Sequence, residues 1–224
     1  MVILPILLAI GCNELMAPEP ERLGYDYFPL VIGEFRIYEV EIINYNLNGS
    51  IDTVVYQLKE IVADSSIIGE ETSYHLDRYR RVDTLEPWVI DSVWSARLNT
   101  YQAIVVEHNI PIIKLSFPLA EDKRWDGNAM NTIEFDEFKI KNLGATYQIN
   151  GINYANSLEM IKEEQIDPLK ITSDDYQLEV FSSGIGLIFR QEIYKKYCSN
   201  CPQEGKIEQG MVYEQKLLEI GRIE

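Results

Sequence analysis

The dominant pattern along this chain is an alternation of apolar and polar residues with a period of two. It is clearest in residues 38–42, 54–58 and 176–180, and this period is typical of strands that bury one face. Asn48 and Gly49 lie between the first two of these segments and are a strong signal for a tight hairpin turn. The pattern therefore predicts that the folded part of the chain opens with a β-hairpin.

The same kind of pattern recurs to the end of the chain. Alternating or β-branched segments occupy residues 74–77, 101–106, 133–136, 138–141, 187–194 and 211–220. Residues 157–165 have some helical propensity, but they lie between strand-like flanks and precede Pro168, so we interpret them as a strand. Roughly ten to twelve short strands at regular spacing predict an all-β fold with little helix. A curved antiparallel sheet follows, as a half-barrel, a barrel or a sandwich.

The first two predicted strands define a candidate apolar face. Every second residue of each strand is apolar or aromatic, and the predicted register places them on one side of the sheet. The candidate residues are Tyr38, Val40, Ile42, Val54, Tyr56 and Leu58. Two interpretations stay open. The face forms a closed core, or, if no element covers it, it forms an apolar groove suited to acyl chains.

The N-terminus carries a second signal. An almost unbroken apolar run over residues 1–11 ends at Cys12, and a polar segment with prolines follows. Leu8-Ala9-Ile10-Gly11-Cys12 resembles the lipobox of bacterial lipoproteins. The resemblance implies that the Cys12 sulfur receives diacylglycerol, that the peptide is cut just before Cys12, and that the new amino terminus is acylated. Two or three acyl chains give stable membrane anchoring.

These features predict three segments: a signal peptide over residues 1–11, a lipidated tether over residues 12–24, and a single β domain over residues 25–224. The apolar run lacks the Lys or Arg that normally opens a secretory signal, and Pro5 interrupts it. It is too short for a membrane-spanning helix, which needs about 20 apolar residues. The expected location is the cell envelope, with the lipid in the outer membrane and its leaflet left open.

Composition narrows the partners and the chemistry. The formal net charge of −16 argues against nucleic acid or anionic lipid as a partner surface. Cys198 and Cys201 form Cys-Ser-Asn-Cys, which in an oxidising envelope favours a disulfide or two free thiols over a redox centre. Zinc needs four ligands, and besides these cysteines the chain has only His75 and His108, so we expect neither a metal site nor a cofactor.

Two further segments resemble a large group of uncharacterised bacterial envelope lipoproteins. Residues 27–40 resemble their FPL-x-x-G-x-x-W-x-Y opening strand, with Arg36 where the group usually has Trp. Residues 183–188 resemble their late G-x-G-L-V hairpin, and residues 213–221 resemble their final strand. The resemblance implies a curved antiparallel sheet, of which a half-barrel related to lipoprotein carriers of the LolA type is one form. It implies no known activity.

Two hypotheses for function follow. The first is a non-enzymatic, membrane-anchored β-domain that binds an apolar ligand or an envelope protein, since the sequence contains no recognisable nucleophile, phosphate or metal motif. The second is an envelope hydrolase that acts on glycans through two carboxylates. That hypothesis requires a cleft with two facing carboxyl groups about 5–9 Å apart, at least one with a raised pKa.

Overall fold

A computed structural model describes residues 23–163, 173–199, 201 and 205–223. The predicted signal peptide, Cys12 and most of the tether lie outside these residues. The described chain is all-β, as predicted, with twelve antiparallel strands in one sheet. The strands are β1 Glu34–Tyr45, β2 Ile51–Ile68, β3 Glu71–Arg81, β4 Val89–Leu98, β5 Gln102–Glu107, β6 Ile110–Ser116, β7 Arg124–Asp126, β8 Glu137–Ile149, β9 Ile152–Glu163, β10 Ser173–Ser182, β11 Gly186–Tyr197 and β12 Ile207–Arg222.

The strands follow one another around a nearly closed barrel. Each strand pairs with the next one in the chain except β6 with β7, which are the two edges of the sheet, and β1 pairs with β12. These edges meet through single contacts: the Ile113 amide donates to the Gly127 carbonyl at 2.9 Å, and Trp125 Nε1 donates to the Ile113 carbonyl at 2.9 Å. The interior is therefore lined by all twelve strands.

The period-two prediction holds for the first hairpin. In its register Tyr38 lies opposite Leu58, and Val40 lies opposite Tyr56. The turn falls at residues 46–50, where Gly49 adopts a φ of 84°. Glycine reaches this left-handed region without the steric cost that a Cβ would impose. The strand predicted over residues 157–165 is also present, as β9, up to Glu163.

One predicted strand is wrong. Residues 133–136 alternate in sequence, but they belong to the connection between β7 and β8. Their backbone groups are bound by side chains and by a loop amide instead of a neighbouring strand. Asn128 Nδ2 donates to the Glu134 carbonyl at 2.8 Å, and the Asp136 amide donates to Asp126 Oδ1 at 3.1 Å. Side chains of this kind compete with sheet formation.

Residues 23–33 close one end of the barrel, which we call the plugged end. They contain a 3₁₀ turn, Tyr25–Tyr27, followed by Phe28, which is 9% exposed. The Gly184 amide donates to the Asp26 carbonyl at 2.8 Å and so ties the segment to the β10–β11 turn. The N-terminal segment is therefore part of the core, and the chain enters the barrel at this end.

The opposite end, which we call the far end, carries the β1–β2, β3–β4 and β11–β12 connections. Antiparallel pairing fixes this arrangement, because Glu34 at the start of β1 lies opposite Arg222 at the end of β12. None of the helices among the described residues is long and apolar enough to cross a membrane.

A charged cavity inside the barrel

A row of paired residues that includes Glu179, Arg190 and Gln215 crosses the inner face of the sheet. Glu179 lies opposite Arg190, Arg190 opposite Gln215, Gln215 opposite Val40, and Val40 opposite Tyr56. Glu179 and Gln215 are 1% and 2% exposed, as closely covered as the apolar residues around them. The barrel interior is therefore not a purely apolar core.

Four ionised side chains from opposite walls meet in the interior, and we call them the buried ion network. Lys114 Nζ on β6 lies 2.7 Å from Glu107 Oε1 on β5 and 2.6 Å from Glu179 Oε1 on β10. Arg190 on β11 binds Glu107 through two parallel hydrogen bonds of 3.2 and 3.0 Å. Such bidentate, charge-assisted bonds fix geometry more strictly than single ones. The network joins the β5–β6 wall to the β10–β11 wall.

The network shifts the pKa values of Glu107 and Arg190 toward their ionised forms. Burial alone would raise the pKa of Glu107, but the charges and hydrogen bonds of Arg190 and Lys114 outweigh burial and hold that pKa well below its ordinary value of 4.5. Burial would likewise lower the pKa of Arg190, and Glu107, Glu179 and Glu192 together raise it well above its ordinary value. Charge pairing therefore compensates for the removal of these groups from water.

A cavity lies between the buried ion network and the N-terminal plug. It leaves about 60 Å³ for the centres of water-sized molecules, whereas one ordered water needs roughly 10–15 Å³. Its charged lining comprises three cations and three acids: Arg36, Lys114, Arg190, Glu60, Glu107 and Glu179. Its apolar lining includes Phe28, Leu30, Leu76, Val105, Phe181 and Leu187. The cavity is thus small, and its lining combines charged and apolar side chains.

One wall of the cavity holds a donor without a protein partner. Trp94 lines the cavity and is 8% exposed, and its Nε1 makes no hydrogen bond to any described residue. The Arg78 guanidinium stacks on the Trp94 ring, 3.5 Å from its centroid, and Arg78 Nε lies 3.5 Å from Glu60 Oε2. A buried N–H that stays unbound costs about 1–3 kcal/mol. The Trp94 ring therefore forms part of the cavity wall, while its N–H is enclosed by protein.

Arg36 forms the partition between the cavity and an outer groove of about 310 Å³, since it lines both. Its Nε donates to the Ile185 carbonyl at 2.5 Å and its Nη2 to the Pro29 carbonyl at 3.4 Å. Gly186, with a φ of 88°, lets the guanidinium lie against the backbone, because a Cβ there would come within 3.2 Å of Arg36 Nη2. A cation whose hydrogen-bond partners among the described residues are both carbonyls thus stands at the edge of the cavity.

The structure brings the six candidate residues of the apolar face together but fills most of that face. Tyr38, Val40 and Leu58 are at most 1% exposed within a packed cluster. Ile42 and Tyr56 are half-buried against the same cluster, and Val54 is 48% exposed at the far end. The Tyr38 hydroxyl donates to the Leu187 carbonyl at 3.1 Å. This packing leaves no open apolar groove along the inner half of the face.

The two late cysteines lie at the far end. Cys198 and Cys201 are joined by a disulfide, with their Cα atoms 5.6 Å apart. Their flanking strands β11 and β12 are antiparallel neighbours. Elsewhere in the described ranges, no three His, Cys, Asp or Glu side chains are grouped so that they could hold a metal ion. His75 and His108 both line a groove on the barrel wall.

Two pairs of carboxylates bear on the hydrolase hypothesis. Glu107 and Glu179 face each other across Lys114, but the lowered pKa of Glu107 is the opposite of what a general acid needs. Burial raises the pKa of Asp136, but this residue does not line the cavity, and Lys162 Nζ bridges it to Asp175 at 3.1 Å on each side. Both pairs are organised around a lysine, and neither places a carboxyl group of raised pKa in the cavity.

The sequence analysis missed the buried ion network, although a signal for it exists. Glu179 and Arg190 occupy the positions in their strands that are two residues from Phe181 and Ile188, both of which are buried. A charge in the buried phase of an alternating strand is expected to have a partner. Lys114 likewise interrupts an apolar segment over residues 111–115.

The shifted pKa of Glu107 predicts a specific dependence of stability on pH. The pKa of Glu107 in the folded state is below its ordinary value of 4.5. Glu107 therefore contributes its full stabilisation above about pH 4.5 and loses it as the pH falls from there through the folded-state pKa. We expect the free energy of unfolding, measured by urea titration, to fall below about pH 4.5 less steeply in Glu107→Gln than in the native chain.

Asp136→Asn is the matched control for this measurement. The pKa of Asp136 is raised, so its contribution has the opposite sign: it is present at low pH and is lost as the pH rises through the folded-state pKa. The control should therefore make the acid loss of stability steeper. Equal slopes in the native chain and in Glu107→Gln would contradict the assignment of Glu107.

Comparison with known proteins gives distant similarities only. No family model and no curated protein matches this chain. It is similar to the solved structure of a candidate lipoprotein from Parabacteroides distasonis, with 13% identity, coverage of 86% of this chain and 98% of that chain, and a TM-score of 0.40. It is also similar to a candidate exported protein with a YmcC-like fold from Bacteroides fragilis, with 12% identity, coverage of 87% and 98%, and a TM-score of 0.41.

Proposed function

We propose that this chain is a lipid-anchored domain of the bacterial cell envelope that binds a small ligand inside its barrel and catalyses no reaction itself. The observation that carries the binding proposal is the cavity between Phe28 and the buried ion network. Charged side chains with fixed partners and apolar side chains line this cavity together. Concave sites with an apolar lining and a few fixed polar groups are typical of small-molecule binding.

The proposed ligand differs from the acyl chain expected from the sequence. The inner half of the apolar face is packed by Tyr38, Val40 and Leu58, and the cavity has room for only a few water-sized groups. An acyl chain would need a long apolar channel, and the charged lining would oppose it. The geometry therefore supports a compact, partly polar ligand.

The anchor proposal gives the barrel an orientation. Cys12 precedes Leu23, the first described residue, by eleven positions, a tether of at most roughly 40 Å when fully extended. Since the chain enters at the plugged end, that end would face the bilayer. The far end, with the Cys198–Cys201 disulfide, would point away from it.

Replacing Cys12 with Ala tests the anchor. We expect the native protein to fractionate with membranes and to have an intact mass that starts at Cys12 and includes acyl chains. Cys12→Ala should lack the acyl chains and keep residues 1–11. The matched control is Cys198→Ser with Cys201→Ser, which should stay in the membrane fraction. A native mass that includes residues 1–11 and no acyl chains would refute the anchor.

Native mass spectrometry of the membrane-extracted protein tests binding independently of the anchor. We expect a species heavier than the lipidated chain by the mass of one small molecule, and that species should be lost after unfolding and refolding in clean buffer. A protein that carries only its acyl chains, and whose Trp94 environment responds to no small-molecule class, would refute the binding function.

A further inference from the structure

We infer that the guanidinium of Arg36 binds the carboxylate of a small organic acid, which enters through the outer groove at the plugged end. This inference rests on the proposed binding function and names its ligand class. Three observations carry it: the hydrogen-bond donors of Arg36 that remain free, the local excess of positive charge, and the access that the groove provides.

Arg36 keeps unused donors although it is only 7% exposed. A guanidinium has five N–H donors, and the described residues accept from two of them, the Nε–H and one on Nη2. Both acceptors are backbone carbonyls, which bring no negative charge to offset that of the guanidinium. Three donors on the two terminal nitrogens therefore remain for a ligand or for water. Neighbouring donors on Nη1 and Nη2 match the two oxygens of a carboxylate, which such a fork binds bidentately.

The acids around Arg36 do not balance the cations. Glu60 lies opposite Arg36 in the β1–β2 register, but its ion pair is with Arg78, whose Nε lies 3.5 Å from Glu60 Oε2. One acid thus faces two guanidinium groups. The other acids of the cavity lining belong to the buried ion network, where Lys114 and Arg190 hold them. A buried cation without an ionised partner is unfavourable, so this position favours an anion of single charge.

The single excess charge selects a carboxylate over a phosphate monoester. A phosphate monoester carries a charge of about −1.5 to −2 at pH 7 and offers three acceptor oxygens, so it needs a second free cation. The other arginine of the groove, Arg222, lies opposite Glu34 in the β1–β12 register. Both line the groove, so their charges offset each other. A carboxylate brings one charge and two oxygens, which Arg36 alone can bind.

The outer groove supplies the access that the interior cavity lacks. Its space of about 310 Å³ for the centres of water-sized molecules corresponds to roughly 20–30 waters. Phe35 and Ile220 line it beside Arg36, so the body of a small acid can lie in the groove while its carboxylate contacts the guanidinium. Ile220 is 52% exposed, so a long acyl chain laid along it would stay partly in water. The groove therefore favours a short acid over a fatty acid.

The test follows the arginine Nε–H resonances of the full chain, extracted from membranes in a non-ionic detergent and labelled with isotopic arginine. The signal lost in Arg36→Lys assigns Arg36, whose Nε–H is held by the Ile185 carbonyl. Acetate is titrated beside acetamide, which has nearly the same shape but no charge, and beside chloride at equal ionic strength. Inorganic phosphate and octanoate represent a phosphate ligand and a fatty acid. We expect acetate to shift the Arg36 signal saturably, and acetamide and chloride to leave it unchanged.

Two variants with opposite effects connect the signal to the proposed contact, and the rise of the thermal unfolding midpoint with ligand concentration measures their affinity. Arg36→Lys keeps the charge but loses the fork, so it should weaken acetate binding by about tenfold. Glu60→Gln removes the acid opposite Arg36, so it should strengthen acetate binding by about fivefold. Arg80→Lys is the control, because that side chain is 63% exposed, and it should leave the affinity unchanged. Circular dichroism verifies folding, and if Arg36→Lys does not fold, the sign of the Glu60→Gln effect decides.

The outcomes separate this inference from the proposed function. Phosphate or octanoate binding at Arg36 that is at least tenfold tighter than acetate binding, or a co-purified molecule without a carboxyl group, would overturn the small-acid assignment and leave a ligand-binding domain. Acetate binding that Arg36→Lys does not weaken and Glu60→Gln does not strengthen would place the site elsewhere and also overturn it. If no probe shifts Arg36, the inference fails, and the proposed function fails with it only when the native protein also carries no small molecule.

Discussion

Replacing Lys114 with Met should lower the free energy of unfolding by about 3–5 kcal/mol. Lys114 is 3% exposed, and its Nζ contacts both Glu107 and Glu179 at hydrogen-bonding distance. Methionine has a similar length but no charge, so the variant leaves two buried carboxylates with Arg190 as their main cation. Most of the loss comes from keeping two carboxylates buried after one of their cationic partners has been removed. Urea unfolding followed by tryptophan fluorescence measures it.

Lys196→Met is the matched control. Lys196 Nζ lies 3.6 Å from Glu208, but both side chains are largely exposed, at 53% and 41%. An exposed pair of this kind contributes at most about 1 kcal/mol, so the control should unfold close to the native chain. Equal losses of stability in the two variants would mean that the buried ion network is solvated and is not the bridge described above.

A double variant sharpens this prediction. Lys114→Met combined with Glu179→Gln removes one charge of each sign, so the remaining Glu107 and Arg190 can pair through their own bidentate contact. We expect the double variant to be less destabilised than the sum of the two single variants, because contacting residues are not additive. A simple sum would indicate that the two side chains act independently.

The buried ion network explains how a wide barrel avoids an empty interior. Twelve strands enclose more space than short apolar side chains can fill. Long side chains reach across this space: Lys114 contacts Glu179, 65 positions away, and Arg190 contacts Glu107, 83 positions away. The network therefore supports opposite walls while leaving the cavity beside the plug.

Much of the sheet could be predicted from local pattern because each strand pairs with its neighbour in the chain. The β1–β2 hairpin, with Asn48 and Gly49 at its turn, needs only the alternation on either side and a two-residue turn signal. The β11–β12 hairpin is similar, with Cys198 and Cys201 in its connection. In an up-and-down sheet, strands that follow one another in the chain lie side by side, so correct prediction of the hairpins also predicts the strand order.

The cavity could not be predicted, because it depends on contacts between distant parts of the chain. Glutamate and arginine usually lie on protein surfaces. Glu107 and Arg190 become buried partners because the closure of the barrel brings them together. Bulges also shift the phase of burial: the β10–β11 register skips Ile188, so Ile188 and Phe189 are both buried although they are adjacent. Strict alternation would place one of the two in solvent.

The role of the N-terminal plug was likewise not visible in the pattern. Residues 28–30 resembled a family motif, but nothing local indicated that Phe28 enters the barrel. In the structure its ring lies 6.2 Å from that of Phe181 and forms one wall of the cavity. The plug connects the proposed anchor, the core and the ligand site, so its packing has consequences for all three.

Phe28→Ala should therefore lower the free energy of unfolding by about 3–5 kcal/mol, the usual cost of removing a buried aromatic ring. Phe28 is 9% exposed and belongs to the main apolar cluster. The variant should also enlarge the cavity toward the plugged end and weaken retention of a small ligand. Urea unfolding measures the first effect, and native mass spectrometry of the membrane-extracted variant measures the second.

Phe135→Ala is the control, because it removes the same ring from the β7–β8 connection, where Phe135 is 70% exposed. Its expected effect is within about 0.5 kcal/mol. If both variants unfolded like the native chain, residues 23–33 would rest loosely on the barrel instead of closing it. The tether would then leave the barrel freely, and the plugged end would have no fixed orientation toward the bilayer. A large loss in Phe28→Ala alone would instead establish that the segment next to the proposed anchor is part of the folded core.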